Sequence, residues 1–323
     1  MAELLTLAAF LAVAMLLILA NYGETNPAAR VLSLITMVLL AGVAFAVGGG
    51  GALLGLAQFE LGSLPSSQLR VIESFSLPVA GAGALALLYL HPAVQRIVAH
   101  FIPLRPGSTV HYTAVVFALL YLGFQLGEQL SVDVLAVFAT LPPLTITDLL
   151  LEEIPLVVLA LAGIGVFVRR TVPESFERLG FKLPRAEWWI VALVAIGFFY
   201  AIGFGLDRVA DVLTPGAQRR INDVTAVLYR RFNNPGAIFV LGVAAGIGEE
   251  TLFRGALLPR FGVVITAVLF AGVHTQYGIT LASLQVFILG LMLGWLRLRA
   301  GTLPCIVTHA GYDITVGLVG LIH

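Results

Sequence analysis

Residues 31–59 read VLSLITMVLLAGVAFAVGGGGALLGLAQF, without one ionisable side chain. At about 1.5 Å of rise per residue, a helix over this stretch exceeds the ~30 Å hydrocarbon core of a bilayer. A helix that is apolar all round has no face to give to water, so the stretch reads as a membrane span. Comparable apolar runs occur at 4–20, 77–90, 110–127, 154–168, 188–206, 236–258, 262–277, 281–298 and 303–322. The whole chain agrees. Of its 323 residues 59% are hydrophobic and 11% charged, and its mean hydropathy is +1.00. Soluble chains run near 45–50% apolar and about 25% charged. A soluble globule has too little interior for this much apolar surface, and disorder demands the opposite composition. Zero net charge with no basic run argues against a nucleic-acid partner. The single cysteine, Cys305, cannot form an intrachain disulfide. The expected fold is an all-α polytopic transmembrane helical bundle of about eight to ten spans, with one short late run partial or re-entrant. The N-terminal run lacks a basic leader and a small-residue cleavage site and reads as a retained span.

Short connections orient such a bundle through their Lys/Arg content. The link after 168 carries Arg169, Arg170, Arg178, Lys182 and Arg185, which places it in the cytoplasm. The acidic link with Glu128, Asp133, Asp148, Glu152 and Glu153 then lies opposite and reads as solvated loop. The 207–235 connection is arginine-rich against strict alternation. Its Ile221, Val224, Val227 and Leu228 suit an interfacial amphipathic helix, and the topology there stays open. Prolines bracket 172–184, which suggests a division into N-terminal transmembrane helices of unknown role (1–186) and a functional domain (187–323). No internal repeat supports an inverted-repeat transporter.

Ionisable groups at membrane depth are expensive, and each is a functional hypothesis. Residues 242–255 read GVAAGIGEETLFRG. On a helix Glu250 and Arg254 share a face and can pair, whereas Glu249 lies about 100° round and escapes that arginine. A second run places Phe270 and His274 one turn apart, and a third places His309 and Asp313 likewise. Together these groups would form a polar pocket inside the bilayer. A free carboxylate beside neutral imidazoles suits deprotonation of water and stabilisation of an oxyanion. The same groups could hold a divalent metal such as zinc, with Glu249, His274 and His309 as candidate ligands. Gly242–Gly248 and the Gly290/Gly294 pair would let helices pack closely around the pocket. Taken singly, each group has an ordinary account. A lone membrane histidine is usually an interhelical hydrogen-bonder, and Glu250–Arg254 alone could be a clasp. His91, His100, His111 and His323 lie near span ends or the terminus, where interfacial solvation explains them, and Cys305 reads as a small packing residue. Arg219, Arg220, Arg230 and Arg231 would snorkel towards headgroups.

The ordered motifs EExxxR (Glu249, Glu250, Arg254), FxxxH (Phe270, His274) and HxxxD (His309, Asp313) resemble those of the CAAX-processing endopeptidase and bacteriocin-processing (CPBP, or Abi) family of intramembrane proteases. The resemblance covers roughly 187–323. It implies that Glu249 activates the attacking water and that Glu250 and Arg254 support it. It further implies that His274 positions the water and that His309, with the residue four later, stabilises the oxyanion. That residue is typically Asn in eukaryotic members and is Asp313 here. An ionised aspartate cannot donate to an oxyanion, so it is protonated, orients His309 or binds a metal. The family has been described both as metalloproteases and as glutamate proteases. The expected protein is therefore an intramembrane endopeptidase, multi-pass in the membrane (the inner membrane in a bacterium). Its expected partners are membrane lipid and a peptide or protein substrate, lipidated in the eukaryotic relatives. Two alternatives stay open: a noncatalytic immunity or scaffold protein of the same family, and a transporter with a carboxylate proton relay.

Overall fold

The computed structural model describes residues 2–61 and 65–322. His323 lies outside the described residues. Among those described the chain is helical, without a β-strand. It divides into two compact units, Leu19–Val134, and Met1–Ile18 with Leu135–His323. The helices are α1 (Ala2–Tyr22), α2 (Pro27–Leu61), α3 (Ser66–Leu90), α4 (Pro92–Val98), α5 (Thr109–Ser131), α6 (Val134–Phe138) and α7 (Ile146–Ile164). They continue with α8 (Val172–Leu179), α9 (Ala186–Leu213), α10 (Pro215–Leu228), α11 (Pro235–Glu250), α12 (Leu258–Val273), α13 (Leu281–Ala300) and α14 (Thr302–Gly320).

Among the described residues six stretches are long and apolar enough to cross a membrane: Pro27–Ala57, Ser67–Leu90, Thr109–Ser131, Ala186–Leu213, Pro235–Val273 and Leu281–Ala300. Large apolar side chains such as Leu39, Leu53, Leu193 and Val212 stand exposed on these helices, as lipid contact requires. The protein is an integral, multi-pass, all-α membrane protein.

In the unit Leu19–Val134, α3 packs against both α2 and α5. Glu24, beyond the end of α1, receives Ser108 Oγ (2.6 Å) and the Val110 amide (3.1 Å). A carboxylate thus meets the N-terminus of α5, where free amides favour negative charge. His111 departs from the interfacial solvation expected of it. It is buried, and its Nδ1 accepts the Arg105 amide (2.8 Å).

In the other unit local chemistry sets the helix ends. Thr145 and Asp148 form a capping box at the start of α7, and Gly165 ends the helix in the left-handed region (φ 85°). Asn234 Oδ1 accepts the Ala237 amide ahead of α11, with Pro235 in the first turn. Between α11 and α12 the chain runs through a π-helical segment, Thr251–Leu257. Past it, Gly262 (φ 74°, ψ 175°) breaks α12 at the residue where the 262–277 apolar run begins. The remainder, Val263–Val273, spans only about 16 Å at 1.5 Å per residue, half a bilayer core. The short late element is this one. The α10 helix is amphipathic, but its apolar face serves the protein instead of a membrane surface. Ile221, Val224 and Leu228 are buried against Leu135, Phe138 and Tyr277, because a stripe this narrow is filled by the neighbouring helices.

Candidate active site

The six polar residues singled out from sequence lie on three adjoining segments, and helix packing brings them together. The α11–α14 contact is made by glycine. A Cβ on Gly242 would meet the Ala310 carbonyl at 2.8 Å, and one on Gly246 would meet Ala310 at 3.1 Å. The two backbones therefore approach closely, and Glu249 and Glu250 face His309.

Glu250 and Arg254 form the sealed floor, both side chains having no exposure. Arg254 Nη1 donates to Glu250 Oε1 (2.8 Å), and Arg254 Nη2 reaches the Gly290 carbonyl (3.4 Å). The same Glu250 Oε1 accepts His309 Nδ1–H (2.8 Å), the tautomer being assigned from its partner. Phe270 ties the floor to the imidazoles. Its ring lies beneath the Arg254 guanidinium (4.0 Å) and against the rings of His274 (4.9 Å) and His309 (5.9 Å). Its carbonyl accepts His274 Nδ1–H (2.8 Å). The FxxxH spacing thus serves twice, through the ring and through the backbone.

Above this floor the groups open outward, with side-chain exposures of 13% for Glu249, 17% for His274, 10% for His309 and 21% for Asp313. Glu249 Oε1 stands 3.8 Å from His274 Nε2, and Glu249 Oε2 stands 3.9 Å from His309 Nε2. Both gaps exceed a direct hydrogen bond and suit one bridging water. Asp313 Oδ2 faces the same His309 Nε2 at 3.5 Å. Because His274 and His309 donate through Nδ1, each turns Nε2 towards Glu249.

Residues 231–315 match the family model described as Type II CAAX prenyl endopeptidase Rce1-like. The match contains every site residue named above and agrees with the resemblance carried by the three motifs. An Escherichia coli protein, described as an uncharacterized 24.3 kDa protein, is 31% identical over 145 residues, covering 41% of this chain and 62% of that relative. The chain therefore spans less than two thirds of the relative's length. No solved structure matches.

The Rce1-like segment is braced by residues outside it. Glu153 does not belong to a solvated loop. It lies on α7, buried, with its carboxyl against Gly248. The apolar face of α7 and the missing side chain at Gly248 draw it inward, and it comes within electrostatic reach of Glu249, His309 and Asp313. Glu152 likewise sits on α7. Sequence held one hint, the glycine immediately before two acids. The π-helical segment has a brace of its own. A π turn displaces carbonyls from their usual partners, and arginines from α8 and α13 cap them. Arg178 donates to the Gly255 (3.1 Å) and Ala256 (3.3 Å) carbonyls, and Arg297 Nε donates to that of Arg254 (3.0 Å). Burial and the neighbouring guanidiniums of Arg260, Arg170, Arg297 and Arg169 push Arg178 down to about 10, so it stays charged at neutral pH. Cys305 is fully buried in packing beside Leu293 and Leu296.

The candidate metal ligands Glu249, His274 and His309 adjoin one another, but the imidazoles address opposite oxygens of the carboxylate. Among the described residues no group of three or more His, Cys, Asp or Glu is disposed to hold a metal ion. No chemical step below runs through a metal.

Proposed function

We propose that the protein is an intramembrane endopeptidase in which Glu249 activates water to hydrolyse a peptide bond near the membrane surface. The observation that carries this reading is the split between two adjacent acids. Glu250 is consumed by Arg254 and His309, while Glu249 faces two imidazole nitrogens across gaps of one water.

His274 gives its Nδ1–H to the Phe270 carbonyl, so its Nε2 offers a lone pair. A water between Glu249 Oε1 and His274 Nε2 donates one hydrogen to each, and its own lone pairs point away towards a substrate carbonyl. Attack forms the tetrahedral intermediate as the water proton passes to Glu249. His309, protonated on both nitrogens, keeps Nδ1–H on Glu250 and offers Nε2–H to the oxyanion. Asp313, at 3.5 Å from that nitrogen, orients the ring. Glu249 then returns its proton to the leaving amine. One feature supports this reading: the sealed Glu250–Arg254 floor fixes His309 from below.

The substrate we propose is a peptide or protein presented at the membrane, and we extend the proposal to a lipidated one on the prenyl endopeptidase description of the matching family model. In a bacterial cell the inner membrane is its place. The test is reconstitution of the purified chain with a peptide library. Cleavage by the wild type, abolished in Glu249→Gln and in His309→Ala, supports the reading. A cellular phenotype that survives Glu249→Gln unchanged would assign a noncatalytic role.

A further inference from the structure

His309 is held by the buried Glu250 carboxylate, whereas the Nδ1–H of His274 meets a neutral carbonyl. His274 also stands where α12 stops, with a non-helical backbone (φ −88°, ψ 55°), so a helical turn does not set the direction of its ring. The 3-10 turn that follows, Thr275–Tyr277, supplies a second aromatic neighbour. The Tyr277 amide donates to the His274 carbonyl (3.2 Å), and the Tyr277 carbonyl accepts the Thr280 hydroxyl (2.8 Å). The Tyr277 ring thereby comes to lie parallel to the His274 imidazole (5°), with centroids 6.2 Å apart, within the roughly 4.5–7 Å over which aromatic pairs attract.

Tyr277 also packs on the apolar cluster of Leu135, Ile221, Val224 and Leu228. The last three lie on α10, the amphipathic helix whose apolar face turns inward. Contact therefore runs from α10 through Tyr277 to His274, whose Nε2 stands 3.8 Å from Glu249 Oε1. A water bridging that gap needs the imidazole in one orientation, because a swung ring takes its lone pair away from the carboxylate. We infer that Tyr277 is a positioning residue for the proposed reaction: its ring, seated on α10, holds the His274 imidazole towards Glu249. The Tyr277 side chain lies within electrostatic reach of Tyr312, Asp313 and Glu249 as well, so its ring and its hydroxyl are tested apart. The inference rests on the hydrolytic reading for the use made of His274, but the orientation of that ring is read without turnover.

The experiment uses the full chain, isotope-labelled at histidine, in proteoliposomes, with the His274 signals identified by their loss in His274→Gln. Imidazole nitrogen shifts in solid-state NMR report the tautomer. Wild type and Tyr277→Phe should show His274 as the single Nδ1–H tautomer, whereas Tyr277→Leu should show both tautomers. With a library peptide that the wild type cleaves, Tyr277→Leu should lower kcat about tenfold and leave KM within about twofold. Tyr277→Phe should match the wild type in both constants. A merely structural tyrosine would lower the unfolding temperature in Tyr277→Leu but leave tautomer and kcat alone, and that outcome overturns the inference. So does a Tyr277→Phe chain as impaired as Tyr277→Leu, which would give the role to the hydroxyl. If Tyr277→Leu does not fold, Val224→Ala, which loosens the seat of the ring on α10, takes its place. An unchanged tautomer and kcat in that variant would cut α10 off from the site and overturn the inference. Mixed tautomers on loss of the ring, in a chain that cleaves no peptide, would leave the positioning standing and count against the peptidase reading alone.

Discussion

Glu250 and His309, fifty-nine residues apart, are joined by a 2.8 Å hydrogen bond from Nδ1 to Oε1, and the same oxygen accepts Arg254. One carboxylate oxygen thus neutralises a buried guanidinium and fixes the imidazole that faces Glu249. Removing one partner of a fully buried ion pair strands the other charge, at about 3–5 kcal/mol. Arg254→Ala should therefore lower stability by about that amount and abolish activity, read as thermal unfolding in detergent and as turnover. The double variant Glu250→Gln with Arg254→Met removes both charges. It should recover much of the lost stability but not turnover, because His309 Nδ1–H then meets a neutral amide oxygen in place of a carboxylate. Recovery of both would reduce the pair to a clasp.

What sequence disclosed about this site and what it hid separate along a physical line. Membrane crossing is a matter of composition over twenty residues, so 31–59 and its companions declare themselves. Pairing at i and i+4 is local geometry, so 250/254, 270/274 and 309/313 are legible as faces of helices. The break at Gly262 falls at the first residue of the 262–277 apolar run. What depends on another helix is not legible. Glu153 reads as part of an acidic loop because nothing near it in sequence shows that Gly248 leaves it a niche. The apolar stripe of α10 is visible, but whether lipid or Tyr277 covers it is a tertiary fact. The π turn after Glu250 has no signature in TLFRGAL, and its stabilising arginines come from α8 and α13.

Gly248 and Glu153 give a paired prediction. A methyl at 248 would collide with the Glu153 carboxyl and lie 2.9 Å from its backbone carbonyl. Overpacking of this kind costs about 1–3 kcal/mol. Gly248→Ala should destabilise the protein by that order and displace Glu249, with a fall in turnover. Adding Glu153→Ala removes the carboxyl but leaves the carbonyl, so stability should return only in part. Additive losses in the double variant would show that the two residues do not meet.

Arg178 tests whether the π-helical segment needs its brace. Its guanidinium serves two carbonyls, and charge-assisted hydrogen bonds contribute about 1.5–3 kcal/mol each. Arg178→Ala should destabilise the protein by a few kcal/mol, while Arg178→Lys, which lacks the fork, should restore less than half. The pH dependence has a definite sign. The folded group titrates near 10, below the ordinary arginine value, so burial penalises its charged form. That penalty is constant below pH 10 and is relieved only as pH rises beyond it. Between pH 6 and 9 the stability difference between wild type and Arg178→Ala should therefore be flat. A difference that collapses within that range would mean the brace rests on another group.

Metal dependence follows from which oxygens the imidazoles address. His274 Nε2 faces Oε1 of Glu249 and His309 Nε2 faces Oε2, at 3.8 and 3.9 Å. A zinc ion needs its donors at about 2.0–2.2 Å around a common centre, and these nitrogens flank the carboxylate on its two sides. Dialysis against a strong chelator should leave both the unfolding temperature and the turnover of the reconstituted protein unchanged. Elemental analysis of the untreated protein should find no stoichiometric zinc. Loss of turnover on chelation, restored by zinc and accompanied by a drop in unfolding temperature, would move water activation from Glu249 alone to a metal held by the three residues.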